Sequence, residues 1–249
     1  MQQKSELLKI IYQVNGEYKM SNIIINSYNH IIPQLPVTLD GTPQTQTGMT
    51  DTSLSVSISV GDYTNKALIF CMTQQSGSTT SVKVGTNSFV NMIKQQGAAS
   101  GTGSQRSEIW YLLNDDITNN ATNTINWEGT AGSRICIGVY SLYNVNQTGG
   151  IGNTFVANGA HNTSTGYSNQ PDGEINAVAS NDFVLDVLSA NTSTQPLDTA
   201  ANAEGWNVLI DTNRYSVSQY NANPSTDNDM FYSNIVAAEW AWAGARIIS

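Results

Sequence analysis

Charge is what this sequence has least of. Only 12% of its 249 residues are Asp, Glu, Lys or Arg, against about 25% in an average soluble protein, so its polar surface must come from Ser, Thr, Asn, Gln and Gly. Cations are the scarcer sign. Ten Lys and Arg stand against nineteen acids, giving a net charge of −9 and a pI near 4.4. No basic stripe offsets this field locally, so a phosphate backbone would be repelled and nucleic acid is excluded as a partner. Long apolar runs are missing too. No window approaches the roughly 18 residues of a membrane-spanning helix, and the longest candidate, Ile235 to Ile248, is interrupted by Glu239 and Arg246. Membrane insertion is not expected. The first twenty residues hold no sustained apolar core and no small-residue cleavage site, so a secretory signal is not expected there.

Histidine and cysteine number two each, which removes most of the common catalytic constellations. Cys71 and Cys136 lie in separate apolar runs, ALIFCMT and RICIGVY, and with His30 and His161 they make no zinc ligand cluster. They read as buried free thiols, with one disulfide left open by arithmetic. No G-x-S-x-G elbow is present, and His161 reads as a solvated residue in a Gly-rich polar stretch, so a nucleophile–base pair is not expected. Asp182 and Asp186 come nearest to the paired carboxylates of a glycosidase. With Val184 between them and the core residues of that strand on its other face, they read as ordinary solvent-side charges. Asn114-Asp115-Asp116 and Asp227-Asn228-Asp229 offer oxygen ligands, but in no calcium-loop spacing, and read as turns. No catalytic residue, cofactor or metal site is expected. Four glycosylation sequons, at Asn120, Asn146, Asn162 and Asn191, carry little weight in a chain so rich in Asn and Thr.

What the chain does have is strand signal. Leu54, Val56, Ile58 and Val60 alternate with Ser55, Ser57 and Ser59, the period of two of a strand with one wet face. Ala67 to Met72 is continuously apolar, as in a central strand covered on both sides. TSVKVGTNSFVNMIK predicts a hairpin turning near Gly85 to Asn87. Ser107 to Tyr143 carries three more strands: Trp127 points into the core, and Ile135, Ile137 and Val139 lie opposite Cys136, Tyr140 and Leu142. Asn144 to Gly173 reads as a long polar connection and the best contact surface. Phe183, Leu185 and Val187 share one strand face. In the last element Val236, Ala238, Trp240 and Trp242 oppose a face of small residues that would let two sheets approach closely.

These elements predict an all-β fold, a two-sheet antiparallel β-sandwich of jelly-roll type. It forms a single domain over residues 20–249, preceded by an N-terminal arm, residues 1–19. In the arm Leu7, Leu8, Ile11 and Tyr12 recur at helical spacing. It reads equally as a frayed terminus, with Met20 as an alternative start, or as an arm that docks on a neighbouring subunit. An aromatic concentration near the C-terminus, Tyr215, Tyr220, Phe231, Tyr232, Trp240 and Trp242, marks a candidate ligand or interface region. Exposed, such rings would stack on sugars. Burial of Trp240 and Trp242 in the core or a subunit interface is the preferred reading.

The motifs of RSEIWYLLNDDITNNATNTINWEGTAGSRICIGVYSLYNVNQTGGIG carry a resemblance. Trp110-Tyr111-Leu112, then Thr122 to Trp127, then Gly138, Tyr140, Val145, Gln147 and Thr148 follow a pattern of W-Y-L, T-x-T-x-x-W and G-x-x-S/Y-x-x-V. This resembles a β-sandwich surface module shared by phage and virus structural proteins and by bacterial and archaeal extracellular proteins, and the likeness extends over about Ser21 to Ser249. The resemblance implies a fold and a surface role, with no catalytic residues to carry over. Neither a signal peptide nor a tandem partner module is expected from this sequence, unlike in secreted members, and that expectation favours the virion branch. The expectation is a non-enzymatic virion structural protein on the virion surface, either a capsid decoration protein or a phage tail component. Its partners would be other virion proteins and further copies of itself. The alternative is an extracellular or cell-surface module that binds carbohydrate or adheres, with a glycan as its partner.

Overall fold

The computed structural model describes residues 6–14, 17–25, 34–96, 105–130, 133–148, 155–162, 171–176, 179–198, 202–222, 224, 227–235 and 239–249. The chain divides into two units, Met1–Gln34 and Leu35–Ser249.

In the first unit, β1 (Glu6–Val14) and β2 (Glu17–Ile25) form an antiparallel hairpin with Leu7 opposite Ile24 and Ile11 opposite Met20. The helical spacing read in the arm is corrected here. Apolar residues are adjacent (Leu7-Leu8, Ile10-Ile11), and β2 ends in the β-branched run Ile23-Ile24-Ile25, which favours extended backbone.

The second unit is built only of strands and one 3-10 turn among the described residues. Its N-terminal part holds β3 (Thr38–Leu39), β4 (Gln44–Gly48), β5 (Ser53–Val60), β6 (Ala67–Gln75), β7 (Thr79–Val84), β8 (Asn87–Ser88), β9 (Val90–Gln96), β10 (Gln105–Leu113), β11 (Ala121–Gly129) and β12 (Ser133–Tyr143). Its C-terminal part holds β13 (Phe155–Asn162), β14 (Asp172–Asn176), β15 (Phe183–Ala190), β16 (Leu197–Asp198), β17 (Ala203–Asp211), β18 (Arg214–Asn221), β19 (Asp227–Ser233) and β20 (Trp240–Ile247).

The antiparallel all-β sandwich is observed, in four layers instead of two. The first sheet runs β5-β11-β7-β8 and the second β4-β12-β6-β10-β9, with β3 also on the β4 side of β12. The third sheet runs β13-β20-β15-β18-β17 and the fourth β14-β19-β16. Three cores glue them in that order. Val56, Ile58, Phe70, Ile125, Trp127 and Ile137 fill the space between the first and second sheets. Ile69, Ile109, Tyr140, Leu185, Trp206 and Ala243 lie between the second and third. Leu188, Met230, Tyr232 and Trp242 lie between the third and fourth. Each aliphatic side chain removed from water in this way contributes about 1.5–3 kcal/mol.

Sequence pattern and layer agree strand by strand. β5 alternates buried Val56, Ile58 and Val60 with exposed Ser, as an outer strand must. All nine residues of β6 and all eight of β15 are buried, because both strands belong to inner sheets covered on two faces. The predicted hairpin appears as β7 pairing β8. The small face of β20, Ala243 and Ala245, meets the second sheet, while Trp240 and Trp242 turn into the outer core. The inner sheets approach so closely that a Cβ on Gly138 would run into the Trp206 indole, and one on Gly205 into the Tyr140 hydroxyl.

The two halves share one strand order. Taking β4, β5, β6, β7, β9, β10, β11 and β12 against β13 to β20 in sequence, the inner sheet has its first strand beside its last in both halves. Third, sixth and fifth strands follow, and the facing sheet pairs second, seventh and fourth. The polar connection expected over Asn144 to Gly173 therefore contains a sheet strand, β13, paired with β20.

Candidate functional site

Asp186 corrects the reading of a solvent-side charge. It lies on β15 between Leu185 and Val187, is fully buried, and points into the core between the third and fourth sheets. Its Oδ1 accepts hydrogen bonds from the Tyr232 hydroxyl (2.5 Å) and the Gln219 backbone N–H (3.0 Å). Its Oδ2 accepts from Trp242 Nε1 (2.7 Å) and Gln219 Nε2 (3.3 Å). Burial pushes this carboxyl up to about 6, against the four donors, which hold it down. Trp242 reaches it by folding its indole over Gly244, where a Cβ would collide with the ring. Asp182 is buried as well, where Arg246 Nε (2.6 Å), the Ala179 N–H (2.8 Å) and the Ser249 N–H (3.4 Å) converge on it. The fourth sheet, a non-local feature, covers Asp186 through Tyr232 of β19. Both carboxylates are spent on internal donors and neither can reach a substrate.

Both thiols are equally enclosed. Cys71 and Cys136 are free, buried thiols. Burial pushes Cys71 well up and Cys136 up to about 12, the latter eased by a hydrogen bond with Ser216. The nucleophile is the thiolate, so both are inert. Beside them the Tyr140 hydroxyl and Ser218 Oγ share a 2.5 Å hydrogen bond, and Ser218 Oγ donates to the Asp186 carbonyl. Asn114–Asp116 forms the 3-10 turn, with both Asp exposed. Asp227-Asn228-Asp229 is part of β19 and not a turn. His161 falls on β13 and its side chain lies outside the described residues, as does the whole of His30.

The C-terminal aromatic concentration does not form one surface. Trp240, Trp242 and Tyr232 are core residues between the third and fourth sheets, as preferred for the two tryptophans, and cannot stack on a sugar. Tyr215 is half-buried against the same core. Tyr220 lies on the other side of β18, its ring stacked on Phe183 with centroids 5.4 Å apart. Phe231 is on β19, with its side chain outside the described residues.

A surface site arises elsewhere, at the free edge of the N-terminal sandwich. There β4, an edge strand of the second sheet, runs beside β5, the edge strand of the first. Between them opens a groove of about 310 Å³ lined by Asp40, Thr42, Gln44, Ser57, Ser59 and Thr122, among others. Asp40 is fixed at its head. Its N–H donates to the Ser141 carbonyl (2.8 Å), and its Oδ2 accepts from the Gly61 N–H (2.9 Å) and Ser141 Oγ (3.2 Å). Gly41 follows in the left-handed region (φ 77°), which lets the chain turn into β4. Tyr63 lies against Gly61, and its ring is stacked on Tyr143 with centroids 4.1 Å apart and planes 8° apart. Tyr143 in turn pairs with Thr38, two residues before Asp40. Tyr63 keeps 38% of its surface exposed and Tyr143 is half-buried. Sequence reasoning missed all three, since Asp40 and Tyr63 sit in polar turns, DGTP and GDYTN, whose local pattern signals only a turn. A tyrosine within such a turn was the available clue. No family model, curated protein or solved structure matches the chain.

Proposed function

We propose that this chain is a non-enzymatic structural protein of a virus particle, carried on the virion surface as a capsid decoration protein or a tail component. The observation that carries the reading is the separate N-terminal hairpin. Two paired strands alone are marginal in water. In this one, consecutive rungs Leu7–Ile24 and Leu8–Ile23 both pair apolar residues. A hairpin of that composition requires a surface to cover it, and a neighbouring subunit in a symmetric assembly supplies one. The second unit suits a passive load-bearing role, with its thiols and the Asp186 carboxyl enclosed and four sheets packed face to face. The recurring strand order, first strand beside last, supports a pair of jelly-roll sandwiches and agrees with the resemblance borne by Trp110 to Thr148. Resemblance at the level of fold does not dictate function, so the test is physical.

Deleting residues 1–34 is expected to leave the thermal unfolding of the body unchanged while lowering the mass of the protein in solution to that of one chain. Peptide mass spectrometry of purified particles carrying the gene should find the protein at a fixed copy number per particle. A full chain that is monomeric at tens of micromolar and absent from particles would refute the proposal.

A further inference from the structure

We infer that the groove between β4 and β5 binds a neutral glycan. The chemistry of its lining selects the class. Asp40 spends only Oδ2 on the protein, and Oδ1 accepts no hydrogen bond from the described residues, so a strong acceptor faces the groove with an open lone pair. Thr42, Ser59 and Thr122 add hydroxyls, each able to donate and accept, and Gln44 adds an amide. A ligand that satisfies this set carries several hydroxyls of its own. A vicinal pair of sugar hydroxyls can donate to a carboxylate while accepting from threonine.

The aromatic pair supplies the second half of a sugar site. Tyr63 and Tyr143 flank the groove without lining it: Tyr63 lies two residues past Gly61, whose N–H donates to Asp40, Tyr143 pairs with Thr38, two residues before Asp40, and the two rings are stacked on each other. Stacking holds the rings in place before a ligand arrives, and that lowers the ordering cost of binding. A tyrosine ring presents an apolar body with a polar tip, which matches the C–H face and hydroxyl rim of a pyranose. The alternatives are weaker on charge. An anionic ligand would meet the Asp40 carboxylate and the −9 field of the chain. A cationic peptide would find one acid among neutral hydroxyls. A metal would lack ligands, because no cluster of three or more His, Cys, Asp or Glu occurs among the described residues. The volume lies at the lower end of the range for ligand pockets, about 300–1,000 Å³, so the groove takes a short stretch of a longer glycan.

The inference stands apart from the particle reading, since a free surface module would use the same groove. The test is to titrate the full-length protein against neutral oligosaccharides of glucose, galactose, mannose and N-acetylglucosamine, four to six units long, by ligand-observed NMR and calorimetry. At least one series is expected to bind. Tyr63→Ala and Asp40→Asn should each weaken that binding at least tenfold, and Tyr63→Phe, which keeps the stacking face, should restore most of it. Ser59→Arg, an exposed substitution that fills the groove without touching the core, should abolish it. Absence of binding to every series would overturn the inference. So would binding that survives both Tyr63→Ala and Ser59→Arg in protein whose unfolding temperature is unchanged.

Discussion

Replacing Asp186 by Asn isolates the carboxyl buried against the core between the third and fourth sheets. The wild-type carboxyl titrates at about 6 in the folded chain, against an ordinary value of 3.8. The difference corresponds to about 3 kcal/mol at about 1.4 kcal/mol per unit. The sign follows from proton binding. Between pH 4 and 6 the folded state holds the proton more tightly than the unfolded chain, so the contribution of this group to stability falls as pH rises through that window. Well below pH 3.8 the carboxyl is neutral in both states, and in the folded chain it can donate a hydrogen bond to the Tyr232 oxygen once that hydroxyl turns to accept.

Asparagine does not titrate, but it cannot satisfy the same four donors. If its oxygen faces Tyr232 and the Gln219 N–H, its amide meets Trp242 Nε1 and Gln219 Nε2, both donors. Turned the other way, it meets the Gln219 N–H. At least one donor is orphaned in either case, at a cost of about 1–3 kcal/mol each. Asp186→Asn should therefore be less stable than wild type by about that amount at pH 4. The gap should close by about 2–3 kcal/mol by pH 7.5, where the buried charge of the wild type is fully expressed. Urea unfolding followed by far-ultraviolet circular dichroism at pH steps from 4 to 7.5 reads this directly. A difference between the two proteins that does not vary with pH would refute the argument. A gap that widens with pH would reverse it, showing that the four donors outweigh burial.

Three further outcomes test the packing. Gly138→Ala places a methyl where the Trp206 indole lies and should destabilise by about 1–3 kcal/mol through overpacking between the inner sheets; wild-type stability in urea would show that these sheets are not in contact there. Trp242→Ala removes a core ring and one donor to Asp186 and should cost about 3–5 kcal/mol. In a double-mutant cycle with Asp186→Asn the two effects should fall short of additivity by at least 0.5 kcal/mol, and strict additivity would contradict the 2.7 Å contact. Cys71 and Cys136 should resist a thiol-specific reagent in the native protein and react fully in urea; rapid labelling of the folded chain would disprove their burial.

Local pattern was sufficient wherever one strand's burial follows from its own residues. The Ser alternation of β5, the unbroken apolar run of β6, the inward Trp127 and the two faces of β12 were all legible, because period-two side-chain geometry is a property of the strand itself. The small face of β20 was legible for the same reason. Layer number was not. Whether a half-polar face such as that of Asp182 and Asp186 meets water or a further sheet depends on β14, β16 and β19, distant segments whose own strand signals are weak. The groove was hidden by the same non-locality. Asp40, Tyr63, Thr122 and Tyr143 are scattered over about a hundred residues, and each taken alone marks a turn or a strand end.

By itself, then, the sequence determined an acidic, charge-poor, largely β chain with buried thiols, since composition and alternation act through solvent and need no partner strand. Only the tertiary structure decided that the sheets stack four deep, that Asp186 is desolvated among four donors, and that a carboxylate and a pair of stacked tyrosines share one edge. Each of those outcomes requires segments far apart in the chain to meet, and the free energy that brings them together comes from the three cores between the sheets rather than from any local motif.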